Sequence, residues 1–151
     1  MNQLSRRSLI AGMVLIAAGC LFSRPSRDEV ARVRSPSGDI EGLVVETNGG
    51  ATVSFGYEVH MVQTGRPMSS GPRVALLYGA RRNANAFGVN LKWIGPSSLA
   101  IEYLEAKSVR IEDASPSIAG RLFTVALVAG INDPIAPAGG MLYNLKKVVS
   151  K

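Results

Sequence analysis

The sequence predicts an all-β or β-dominated domain, folded as a single antiparallel meander or small sandwich of about seven strands with blade-like hairpins. Three observations carry this. From Asp39 onward apolar and polar residues alternate with period two. Clusters of Gly, Pro, Asn and Ser separate the alternating stretches, as turns require. No long stretch repeats its apolar residues at helical spacing after the first twenty positions.

The elements follow in order. Ile40–Thr47 is rich in β-formers, and Asn48-Gly49-Gly50 supplies residues that tolerate positive φ in a tight hairpin. The next strand places Val53, Phe55, Tyr57, Val59 and Met61 on one face. Thr52, Ser54, Gly56, Glu58 and His60 occupy the other, a pattern that belongs to a sheet covered on one side. Thr64–Pro72 reads as a loop and Val74–Tyr78 as a short apolar strand. Gly79–Ala86 is polar and basic and reads as the most exposed loop of the domain. Val89, Leu91 and Trp93 alternate, Gly95-Pro96-Ser97-Ser98 turns, and Leu99, Ile101 and Tyr103 return. Val109–Ile111 is a short strand, and Leu122–Val128 is a continuous apolar one, expected to be central or buried on both faces. Asp133–Gly140 is turn-rich, and Met141–Val149 is expected to close the domain as a strand or short helix.

The chain has 151 residues, room for one domain with a real core. Apolar residues make up 46% and charged residues 19%, a globular balance. The net charge of +6 falls near +4 if Arg6 and Arg7 are removed, since no acid leaves with them. That mild bias suits contact with anionic lipid. It does not suit nucleic acid, because no basic stripe is interleaved with aromatics. The single cysteine excludes a disulfide within the chain.

The amino terminus carries an export pattern. Met1–Arg7 holds two arginines and no acid, and Ser8–Ala18 is an unbroken apolar or small run. The run is about half the roughly 20 residues that a spanning helix needs. It ends in Ile16-Ala17-Ala18-Gly19-Cys20, which resembles the lipobox of bacterial lipoproteins. The resemblance implies lipid transfer to the Cys20 sulfur, cleavage after Gly19 and acylation of the new amino group. Ala17 departs from the leucine commonest at its position. Ser5-Arg6-Arg7-Ser8-Leu9-Ile10 also resembles a twin-arginine export motif, and general export and twin-arginine export both stay open. Leu21 stands where enteric inner-membrane lipoproteins carry Asp, which by resemblance favours the outer membrane.

The expected organisation is a signal over 1–19, a lipidated Cys20 with a flexible basic tether over 20–37, and one β-rich domain over 38–151. Arg24, Arg27, Arg32 and Arg34 fall in the tether and are expected to favour anionic lipid. Ser35–Gly38 and Trp93–Leu99 resemble single turns of β-propeller blades, but a closed propeller needs at least four blades and the chain shows no repeat. Val44–His60 (VVETNGGATVSFGYEVH) together with Gly88–Tyr103 resembles small bacterial envelope proteins, a resemblance that implies no activity.

Few residues offer chemistry. His60 is the only histidine, and Glu58 and Ser54 share its face. The alternation explains this row as a polar sheet face; the sharper reading is an acid–base cluster. Arg81 and Arg82, with Asn83, Asn85 and Trp93, form a candidate surface for carboxylate, phosphate or glycan. No catalytic set, metal site or cofactor is expected: zinc takes about four ligands, and Glu112 and Asp113 stand alone. Asn48–Thr52 lacks the Lys-Ser/Thr ending of a phosphate loop. The expected function is therefore a non-enzymatic, membrane-anchored envelope lipoprotein facing the periplasm and meeting an envelope protein or glycan. The alternatives are an envelope hydrolase using His60 and Glu58, and a binder of anionic membrane surfaces.

Overall fold

The structure is a computed structural model and describes residues 24–141. The expected signal with Arg6, Arg7, Gly19 and Cys20, and the closing segment after Met141, lie outside the described residues. The fold is β-dominated, as the alternation predicts.

The strands are β1 (Ser26–Arg34), β2 (Ile40–Asn48), β3 (Gly56–Gln63) and β4 (Arg73–Tyr78). The pair β5 (Arg81–Asn83) and β6 (Ala86–Phe87) forms a small hairpin, and β7 (Asn90–Gly95) with β8 (Ser98–Glu102) forms a larger one. Strand β9 (Ser108–Ile111), the β10 (Ser117–Ile118)–β11 (Arg121–Leu122) hairpin and β12 (Thr124–Val128) complete the chain. Five strands form an antiparallel sheet in the order β1-β2-β3-β4-β9. Three form a second sheet in the order β12-β8-β7.

One core joins the two sheets. The inner face of the larger sheet contributes Val44, Tyr57, Val59, Met61, Ala75 and Leu77, and the smaller sheet contributes Leu99, Ile101 and Val125. The sheets approach closely at Gly42 of β2. A Cβ there would stand 3.0 Å from Leu91 Cδ1 and 3.2 Å from Leu99 Cδ2, so the missing side chain sets the spacing. Beside it, Trp93 Nε1 donates to the Val33 carbonyl at 3.1 Å, and the indole stands edge-on to Phe123 with centroids 6.1 Å apart.

Four expectations need correction. Ser26–Arg34, expected within the tether, is the edge strand β1, paired with β2 along its length. Its arginines do not repel because acids lie within reach: Arg32 bonds Glu29 at 2.8 Å and Glu41 at 2.5 Å. Val30 is taken up in a bulge between Glu29 and Ala31 and buried.

Strand β12 is an edge strand rather than a central one, and it runs parallel to β8. A parallel pair needs a long crossover, and residues 103–123 supply it through β9 and the β10–β11 hairpin. Third, β3 begins at Gly56, later than the alternation suggests. Asn48 Oδ1 accepts the Gly50 N–H, Gly50 takes φ +106°, and Phe55 leaves the strand to pack on Phe87 at 5.5 Å. Val53 is left 47% exposed as a result. Finally, Arg81–Phe87, expected as part of a loop, is the β5–β6 hairpin.

Candidate functional site

The face of the five-stranded sheet turned away from β7 and β8 carries the polar chemistry. Register places Arg27, Thr47, Gly56, Tyr78 and Ser108 in one row across all five strands. The next row along the same face holds Glu29, Val45, Glu58, Leu76 and Arg110. Side chains of one row stand close enough to pair, so charge alternation along each strand becomes a charge lattice across the sheet.

Glu58 is its centre. Its Oε2 accepts from Arg27 Nη2 at 2.5 Å and lies 3.0 Å from His60 Nε2; Arg73 Nη1 is 3.7 Å from Oε1. Arg73 also donates from Nε to Glu112 at 2.7 Å, and Arg110 Nη2 donates to Glu112 at 2.6 Å. Burial pushes the Glu58 carboxyl up, but the bonds from His60 and Arg27 outweigh it and hold it below its ordinary range. The Arg73 bond holds Glu112 low in the same way, against the opposing effect of burial.

The face is not the solvated one that alternation suggests. Glu58 is 8% exposed and His60 7%. Nor does the row form a catalytic triad. A triad histidine holds an acid through one ring nitrogen and a nucleophile through the other. His60 Nε2 meets Glu58, and its buried Nδ1 meets no partner. Ser54 precedes β3 and its hydroxyl instead accepts from Lys107 Nζ at 2.6 Å. Among the described residues no three His, Cys, Asp or Glu side chains gather as a metal cage.

Next to the lattice the face opens into a groove of about 500 Å³. Thr47, Gly56, Glu58, Leu76, Tyr78 and Arg110 are among the residues that line it. The opening exists because Gly56 has no side chain: a Cβ there would fall 2.4 Å from Thr47 Oγ1. Arg110 remains two-thirds exposed despite its bond to Glu112, and Tyr78 is 39% exposed.

Arg81, Arg82 and Trp93 do not converge on a ligand surface. Arg81 Nη1 bonds Glu105 at 3.1 Å, with its guanidinium 5.8 Å from the Phe87 ring centroid. Arg82 Nη2 reaches Asp133 Oδ2 at 2.5 Å, and Asn90 Nδ2 donates to the same oxygen at 2.8 Å. Asn83 Nδ2 donates to the Asp133 and Ala136 carbonyls. These groups clasp the 133–136 turn to the hairpin. Asp133 is held below its ordinary range by the Asn90 bond first and by Arg82 next, against burial. Trp93 sits at the seam between the sheets.

Sequence reasoning missed Arg27, Arg73, Arg110 and Glu112 as members of the lattice. The signal was there in like form: Arg27/Glu29, Glu58/His60 and Arg110/Glu112 are pairs two residues apart, the spacing of one sheet face. Fold and site together define a two-sheet β domain with an ion-paired outer face. No family model, curated protein or solved structure matches the chain.

Proposed function

We propose that the chain is a membrane-anchored cell-envelope lipoprotein whose β domain has a non-enzymatic binding or accessory role, facing the periplasm. The observation that carries this is Ile16-Ala17-Ala18-Gly19-Cys20 at the end of a short apolar run behind Arg6 and Arg7. It accounts for the one cysteine of a chain that makes no internal disulfide. Leu21 favours the outer membrane. A binding role is supported over hydrolysis by the commitment of Glu58 to Arg27 and His60, with no hydroxyl bonded to the histidine among the described residues.

Radiolabelled palmitate incorporation tests the anchor. Label on the wild type and none on Cys20→Ser is the expected result. An unlabelled wild type, or equal label on both, refutes the reading. Restored envelope phenotype by His60→Ala in a deletion strain separates binding from hydrolysis, since a hydrolase reliant on His60 would not be restored.

A further inference from the structure

We propose that the Ser26 end of the five-stranded sheet is a docking surface for anionic phospholipid headgroups, so that the domain lies against the bilayer instead of swinging from it. The inference rests on the lipoprotein reading for the anchor, and on the structure for the surface.

The first support is reach. With β1 beginning at Ser26, only a short segment separates it from Cys20. Four residues of extended chain carry Arg24 at most about 14 Å from Cys20, and six carry Ser26 about 21 Å. A lipidated Cys20 sits at the headgroup layer. The Ser26 end of the sheet is therefore held near that layer, and the opposite end is not. Val33 lies seven residues further along β1, a rise of about 23 Å.

The second support is what this end presents. Arg24 and Ser26 border a shallow depression with Asn48, Gly49 and Gly50. Arg27 has half its side chain exposed and Arg110 two-thirds. Lys107 projects beside Tyr78, its Nζ 5.8 Å from the ring centroid, and among the described residues its ammonium bonds the neutral Ser54 hydroxyl and no carboxylate. Four cations (Arg24, Arg27, Lys107, Arg110) lie at this end, with Arg73 further along β4, and they share the face with three carboxylates, Glu29, Glu58 and Glu112, of which Glu29 is held by Arg32. Asp28 and Glu46 stand opposite each other in the β1–β2 register on the inner face, where Glu46 accepts from the Tyr57 hydroxyl at 2.9 Å.

The third support is apolar. Val53, Tyr78 and Val109 are large hydrophobic residues left 39–47% exposed, and all three lie at this end. Tyr78 and Val109 line the groove over Gly56. Basic side chains ringing exposed apolar ones are the composition that an anionic interface recognises: charge draws the surface in and the apolar groups enter the headgroup boundary. Arg32 and Arg34, further along β1, are taken up by Glu29 and Glu41. The basic surface is thus a folded end and not a tether.

Depth measurement on the acylated full-length protein tests this. An acylated Cys20 has no free thiol, so Val53→Cys and Ile94→Cys each give one labelling site. Ile94 is exposed and adjoins Trp93, which is bonded to Val33 at the far end of β1. Each labelled protein is placed in vesicles of phosphatidylcholine with one-third phosphatidylglycerol and quenched by lipid-borne nitroxide. Expected is quenching at position 53 at least about threefold stronger than at 94, reduced towards the position-94 level by 0.5 M salt and by Arg24→Gln/Lys107→Gln/Arg110→Gln, because surface attraction is screened within a Debye length. Equal quenching at both positions, or none at 53, overturns the proposal.

Acylation is scored by mass on the same samples, so failure of the anchor is seen separately. In that event the labels are read on the Cys20→Ser chain mixed with the same vesicles. Salt-sensitive quenching at 53 alone upholds the surface, and its absence overturns it.

Discussion

Arg27 Nη2 and Glu58 Oε2 meet at 2.5 Å across the intervening strand β2, and this contact ties the edge of the five-stranded sheet to its centre. Edge strands are held on one side only, so a charged clasp reaching past the neighbouring strand resists their fraying. The clasp does not stand alone, because the same carboxylate serves His60 and has Arg73 within 3.7 Å.

Glu58→Gln keeps the shape and removes the charge. It leaves Arg27 short of its partner and Arg73 dependent on Glu112. The expected loss is about 1–3 kcal/mol in urea denaturation, the usual cost of breaking a charge-assisted bond in a half-buried setting. Arg27→Gln should cost less, under about 1 kcal/mol, since that side chain is half exposed. Equal losses for the two would show that the carboxylate is held by Arg27 alone.

Carboxylates held by arginines, in the lattice and outside it, set an acid limit. Glu41, Glu58 and Asp133 are all held below their ordinary values. A carboxylate with a depressed folded value stabilises the fold above its unfolded value and loses that contribution as pH falls through the folded one. Stability should therefore be level at neutral pH and decline from about the ordinary glutamate value of 4.5 downward. In Glu58→Gln the decline should be shallower, because one of the groups held low no longer titrates. Thermal melts between pH 7 and pH 3 measure this; parallel curves for both proteins would refute it.

Strands β2 to β4, β7 and β8 were legible in sequence from β-forming residues, from alternation in β3, β7 and β8, and from the turn residues between them. The lattice was not. Glu58 and His60 read as solvated because period two distinguishes faces without saying what covers them. Strand β1 read as tether because its charges look unfavourable until Glu41 of β2 and Glu58 of β3 stand beside them. Pairing partners of an edge strand are a tertiary fact. Leu122–Val128 read as central for a similar reason: an apolar run reports burial, and β12 is covered on its inner side while lying at an edge.

Trp93 is the one tryptophan, so its emission reports on the seam between the sheets. Trp93→Phe keeps the ring packing on Phe123 and loses the N–H bond to Val33, at an expected cost of about 0.5–1.5 kcal/mol. In the wild type, unfolding followed by tryptophan emission and by far-ultraviolet circular dichroism should share one midpoint, as expected of one core spanning both sheets. Separate midpoints would mean that the sheets part before either unfolds.

Gly42 and Gly71 give a contrast that tests why each glycine is present. At Gly42 an added Cβ meets the ends of Leu91 and Leu99 at 3.0 and 3.2 Å, and leucine ends can turn aside. At Gly71 it would fall 2.0 Å from the Met61 carbonyl oxygen, which belongs to β3 and cannot move without distorting the strand. Gly42→Ala should thus cost about 1–3 kcal/mol, as an overpacked core does, and leave the fold intact. Gly71→Ala should cost more, because relief requires the 64–72 connection to lift from β3 and give up the bond from Met61 N–H to Pro72. Hydrogen exchange at Met61 separates the two: it should quicken in Gly71→Ala and hold near wild type in Gly42→Ala. A Gly42→Ala variant less stable than Gly71→Ala would show that the approach of the sheets is the tighter constraint, with no slack in the leucines that meet there.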